Sequence, residues 1–218
     1  MGETTKAQLA YQRASSYILL SQFYLRSPRV DFLKQLIRSL SKVKSLPEEL
    51  AKIKGILSNP DLEGLSLELR KDYTRLFLGV KPGYSPPPPY ESVYRGENRL
   101  MGTYTLKVAE WYNKWNFDPA GVLGYKGPPD YLGVELAFMS HLCMLESRAW
   151  ERRGGYSVKS ILEAEGGFLK EHILVWAEQF FNIMDREART SFYKLIARLS
   201  RKFLKLDMEY IEELLREL

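Results

Sequence analysis

The chain has 218 residues, 45% of them hydrophobic, and a net charge of +5. That is enough apolar material for one sizeable core, so a single compact domain spanning 1–218 is expected. The lone cysteine, Cys143, excludes an internal disulfide framework, no run approaches the roughly 18 uncharged apolar residues of a membrane span, and the opening MGETTKAQLAYQR lacks an apolar signal region, so the expectation is a soluble cytoplasmic protein.

Helical periodicity dominates the chain. Leu9, Arg13, Tyr17, Leu20 and Tyr24 share one helical face, and Pro28 marks that helix's end. Phe32, Leu33, Leu36, Ile37 and Leu40 form a second stripe. Pro47 suits the first position of a third helix through Ile56. Ser66 can cap the next, with Leu69, Tyr73, Leu76 and Phe77 on one face and Gly79 as its stop. Beyond a proline-rich loop, Thr103 to Trp115 reads as a helix, and Asn116 to Pro129 as a second loop. Asp130 stands where an N-cap belongs, ahead of a long helix to about Arg153 that Gly154 and Gly155 end. Phe168 to Met184 and Phe192 to Leu206 are two more amphipathic helices, and Asp207 can cap a last one, Met208 to Leu218. No stretch alternates with period two. The expected fold is all-α, a compact bundle of about eight to ten helices with a proline-rich loop.

Catalytic and metal-binding patterns are not evident. His141 and Cys143 point to different faces of a helix, and with His172 they read as core or boundary residues. No phosphate-binding loop, dinucleotide fingerprint or nucleophile elbow occurs, and no carboxylates are spaced as a helical metal pair. The reading therefore assigns no catalytic residue, metal or cofactor, and expects a protein that is not an enzyme.

The most unusual stretch is Tyr73 to Tyr94, YTRLFLGVKPGYSPPPPYESVY. Its four consecutive prolines, Pro86 to Pro89, lack N–H donors and have fixed φ, which makes the loop stiff and extended. Tyr84, Tyr90 and Tyr94 lie on it beside Tyr73 and Phe77. Such a surface suits gripping another chain better than covalent chemistry.

Three pieces of this sequence resemble the TorD/DmsD/NarJ-like family of cytoplasmic redox-enzyme maturation chaperones. Tyr73-x-x-Leu76-Phe77 with Gly79 is similar to the family's aromatic-x-x-Leu-Phe motif. Pro88-Pro89-Tyr90-Glu91-Ser92-Val93-Tyr94, followed by Leu100-Met101-Gly102, is similar to its proline-rich loop and the helix beyond. Gly127-Pro128-Pro129-Asp130-Tyr131 stands where the family has Glu-Pro-x-Asp-His, with Gly127 and Tyr131 departing from it. The resemblance implies an all-helical fold that binds the twin-arginine signal peptide of a molybdenum-cofactor oxidoreductase precursor, holds it until its cofactor is inserted and blocks premature export. The signal-peptide residues it implies are Tyr73, Leu76, Phe77, Tyr84, Tyr90, Glu91, Tyr94, Gly102, Asp130 and Tyr131.

Such a leader carries two arginines and an apolar stretch, so its receptor needs aromatic surface and carboxylates. Asp72, Glu91, Asp130 and Glu135 are the candidate carboxylates. Each residue also has a plainer role. Leu76 and Phe77 suit core as well as groove, Asp130 suits an N-cap, Glu91 suits a solvated loop and Gly102 suits close helix packing. A homodimer formed by helix exchange is compatible with a bundle carrying long loops.

The positive charge is local. Arg186 to Lys205 holds seven basic residues against one acid, Glu187, so the rest of the chain sums to −1. Lys194, Arg198, Arg201, Lys202 and Lys205 share one helix face. They read as a solvated face, as a contact for an acidic partner surface, or, in the alternative functional class, as a helical nucleic-acid-binding stripe. No nucleic acid is expected as the principal partner, because the basic footprint is narrow.

Overall fold

A computed structural model of the protein describes residues 2–79, 85–97, 101–153 and 155–218, and of Val122 only the backbone. Tyr84, Leu100 and Gly154 lie outside the described residues. The described chain forms α1 (Glu3–Leu25), α2 (Val30–Ser41), α3 (Glu48–Leu57), α4 (Leu62–Phe77), α5 (Glu91–Tyr94), α6 (Thr103–Lys114), α7 (Pro119–Leu123), α8 (Leu132–Trp150), α9 (Val158–Phe168), α10 (Ala177–Glu187) and α11 (Ser191–Glu217). A π-helical turn, Leu169–Ile173, follows α9. Among the described residues no strand forms, and the all-α expectation is met. The short α5 and α7 lie within the two segments read as loops.

The centre of the bundle is an antiparallel pair, α1 against α8. Their backbones approach closely because small residues repeat every seven positions along the seam. Ser21 Oγ donates to the Gly133 carbonyl at 2.6 Å, Ser140 Oγ to Ala14 at 2.8 Å and Ser147 Oγ to Ala7 at 2.9 Å. A Cβ on Gly133 would meet Leu25 Cγ at 2.7 Å, so this crossing tolerates no side chain. Every residue from Leu132 to Ser140 is buried, which makes the first half of α8 a helix enclosed on all sides. α9, α10 and α11 pack around this pair, with α2, α3 and α4 beyond.

A buried ionic cluster ties four of these helices together. Arg13 of α1 donates to Glu146 of α8, Glu165 of α9 and Asp207 of α11, each at 2.5 Å, and Tyr17 Oη donates to Asp207 at 2.7 Å. A charge on the apolar stripe of α1 requires such partners, because an unpaired buried guanidinium is prohibitively costly.

Several local expectations are corrected. Asp61, not Ser66, caps α4, accepting from the Gly64 N–H at 2.8 Å, while Ser66 Oγ donates to the Pro28 carbonyl. Pro47 takes the N-cap place and Glu48 starts α3. Asp207 caps nothing. α11 runs unbroken through it, because its carboxylate is held by Arg13 and Tyr17. The helix expected over Phe168 to Met184 divides at the π-helical turn, and α9 begins earlier, capped by Ser157.

Candidate functional site

The segments that carry the three motifs meet at one end of the bundle. Backbone hydrogen bonds join the proline loop to the start of α8. Leu132 N–H donates to the Pro89 carbonyl and Glu91 N–H to the Asp130 carbonyl, both at 2.9 Å, and Tyr90 and Tyr131 pair as an isolated antiparallel bridge. The Tyr90 and Tyr131 rings lie 5.1 Å apart, and Tyr125 stacks on Tyr131 at 5.8 Å. Gly79, at φ +58°, ends the first motif in a left-handed turn that brings it against Pro88, which its own missing Cβ permits.

The expected residues occupy different depths. Tyr90 and Tyr94 are half-buried. Tyr94 covers Trp176 and Phe180, and its hydroxyl donates to the Pro87 carbonyl at 2.9 Å. Tyr73 and Tyr131 are buried, and both hydroxyls donate to the Tyr24 carbonyl. Burial pushes the Tyr73 phenol up to about 12. Leu76 and Phe77 lie wholly inside, Phe77 edge-on to Tyr24, Tyr73 and Tyr193. They support the aromatic layer from beneath.

Asp130 does not cap α8. Tyr131 takes the N-cap place, and the buried Asp130 carboxylate instead accepts from Ser92 N–H at 3.0 Å and Thr105 Oγ1 at 3.2 Å. One side chain thus fixes the starts of both α5 and α6 against α8. Gly102 precedes α6 and makes room for a second device. Glu97 accepts from the Thr103 N–H at 2.6 Å, and a Cβ on Gly102 would collide with that carboxylate.

Glu91 is not a solvated loop residue. It is completely buried, with Oε1 2.6 Å from Arg95 Nη1 and Oε2 2.9 Å from His172 Nδ1. Glu135 is also completely buried, and neither of its oxygens has a hydrogen-bond partner among the described residues. Burial, then the charges of Glu91 and Asp130, hold its carboxyl well above the usual range, with the neighbouring Trp176 indole acting the other way. Asp72 stands apart from this group. It accepts from Arg189 N–H, Thr190 N–H and Thr190 Oγ1 at 2.9 Å and so anchors the start of α11.

His172, Arg95, Tyr104 and Tyr125 were not among the sequence-derived site residues. The Glu91–Arg95 spacing of four was the available signal, but it has meaning only once α5 is known to be helical. His172 comes from the π-helical turn, an element that often marks functional sites.

A second cluster could hold a metal ion by spacing. Ligand atoms of Cys143, Glu146 and Glu165 lie within 4.8 Å of one another. Both carboxylates are already engaged by the Arg13 guanidinium, so a cation there would compete with it.

Residues 43–182, which contain all three motifs, match the family model described as nitrate reductase delta subunit. The chain belongs to this family. The resemblance to TorD-like maturation chaperones is thereby borne out, and curated relatives agree. The chain is 25% identical over 210 residues to a chaperone protein TorD of Aliivibrio fischeri, covering 92% of this chain and 94% of that one. It is 28% identical over 181 residues to a chaperone protein TorD of Vibrio cholerae, covering 83% and 76%. A crystal structure of a candidate redox enzyme maturation protein from Archaeoglobus fulgidus shares the fold, with TM-score 0.56 and 24% identity over 88% of this chain and 93% of that one.

Proposed function

We propose that this protein is a cytoplasmic chaperone that binds the twin-arginine leader of a molybdenum-cofactor oxidoreductase precursor, protecting the client until its cofactor is inserted and preventing premature export. Family membership supports maturation chaperone as the class, and relatives named chaperone protein TorD support it further. Among the described residues no helix is long and apolar enough to cross a membrane.

The observation that carries the leader reading is the convergence of the three motifs. The Pro89–Leu132 and Glu91–Asp130 hydrogen bonds bring a half-exposed aromatic layer, Tyr90, Tyr94 and Tyr125, beside the buried carboxylates Glu91 and Asp130. An apolar stretch beside arginines needs that pairing of aromatic surface and negative field. The stiff proline run holds the layer in place, so little ordering entropy is lost on binding.

Calorimetric titration with a twin-arginine leader peptide, a Lys-Lys version and a scrambled version tests this. The twin-arginine peptide is expected to bind tightest. Equal affinity for all three removes the leader reading.

A further inference from the structure

Glu91 and Asp130 are both completely buried, so neither presents a carboxylate to a passing peptide. One cation does reach Glu91 from the surface. The Arg95 guanidinium is gripped in three ways: Nη1 lies 2.6 Å from Glu91 Oε1 and 3.1 Å from the Glu171 carbonyl, and the guanidinium carbon sits 3.8 Å from the centre of the Tyr104 ring. A carboxylate and a carbonyl can hold any cation, but a guanidinium carbon 3.8 Å from a ring centre lets the flat group lie against the aromatic face, which a compact ammonium cannot do.

We propose that this is an exchangeable guanidinium seat, occupied in the free protein by Arg95 and taken by an arginine side chain of the client peptide when it binds. The peptide as the source of that arginine rests on the leader reading. The seat itself rests on the geometry.

Two features favour exchange over a fixed ion pair. The Arg95 side chain is 29% exposed, so it can swing out without opening the core, whereas the Glu91 carboxylate behind it stays in place, held also by His172. The Glu171 carbonyl and His172 come from the π-helical turn, whose irregular hydrogen bonding leaves a carbonyl free to accept from a cation.

Removing the resident is the test. In Arg95→Ala the seat is vacant, and if Arg95 fills it about nine-tenths of the time in the wild type, twin-arginine peptide binding tightens about tenfold. The Lys-Lys peptide gains nothing, and adding Glu91→Gln abolishes the gain. In parallel, N-acetyl-arginine amide raises the melting temperature of Arg95→Ala, while N-acetyl-lysine amide does not and the wild type responds to neither. Should Arg95→Ala fold poorly, Arg95→Gln carries the same measurements. If the wild type binds the leader but a folded Arg95 variant binds it no tighter and shows no response to arginine amide, the seat is overturned and the leader reading stands. If no leader binds either protein but arginine amide stabilises the variant, the seat stands and the leader reading falls.

Discussion

Tyr73 and Tyr131 donate their hydroxyls to one acceptor, the carbonyl of Tyr24, at 2.9 and 2.8 Å. That carbonyl lies in the last turn of α1, and the residue four positions on is Pro28, which has no N–H to offer. Two motif tyrosines from distant segments therefore complete the end of the first helix. Where the family has histidine, Tyr131 retains a ring with a hydrogen-bond donor, and here that donor serves the scaffold.

This sharing predicts non-additivity. Tyr73→Phe and Tyr131→Phe should each cost about 1 kcal/mol, because the other hydroxyl still satisfies the carbonyl. The double variant leaves a buried acceptor unpaired and should cost more than the sum of the singles. A double-mutant cycle by urea denaturation measures the coupling, and strict additivity would show that the carbonyl finds another partner.

Asp130→Ala should cost about 2–3 kcal/mol, since it removes a charged acceptor from the Ser92 N–H and Thr105 Oγ1. Asp130→Asn keeps the shape and should cost less. Hydrogen exchange at the Ser92 amide should accelerate in both, which separates local loosening of α5 from a uniform loss of stability.

Stability should fall as pH rises. Burial, opposed by Arg13 and reinforced by Glu146 and Asp207, pushes the Glu165 carboxyl up to about 8. The folded state then holds a proton that the unfolded chain releases near 4.5, so stability present below that value is lost as pH climbs through 8. Glu135 and Glu146 are raised as well and act with the same sign. Thermal melts from about pH 5 to about pH 9 should show a declining midpoint, and Glu165→Gln should flatten the decline. An unchanged slope in that variant would move the titration to the other two carboxyls.

Phe77→Ala should cost about 3–5 kcal/mol, as expected for a fully buried ring. Tyr90→Ala, at a half-buried site, should cost much less in denaturation while weakening leader binding more. The reverse ordering in calorimetry would mean that the peptide reaches α4 and not the proline loop.

The basic stripe should not confer salt-dependent nucleic-acid binding. Arg198 pairs with Asp185 and Arg201 with Glu178, both at 3.0 Å, and Lys202 lies 3.9 Å from Glu49. These neighbouring acids neutralise part of the stripe, so the net positive charge that it presents to a phosphate backbone is small. Mobility shifts with duplex DNA at two salt concentrations should show no complex. A complex that weakens steeply with salt would favour the nucleic-acid reading.

The helices were legible because their signals are local. The apolar stripes of α1, α2 and α4, the end of α1 before Pro28 and the stop at Gly79 all follow from spacing and backbone chemistry within a few residues. The motif segments were legible in the same way, since stiffness and aromatic content are properties of composition. What charged side chains bind was not legible, because those partners come from distant parts of the chain. Asp130 and Asp207 both look like caps in sequence. Packing sends the first to Ser92 and Thr105 and the second to Arg13 and Tyr17. Arg13 read only as a member of the α1 stripe, and the meeting of α1 with α8, α9 and α11 gave it its partners. Glu91 read as a loop acid until α5 placed Arg95 one turn away and the π-helical turn delivered His172. Local chemistry determined where the chain bends and coils. The choice of ionic partners was left to tertiary packing, because a buried charge is stabilised only by the groups that packing brings within about 3 Å.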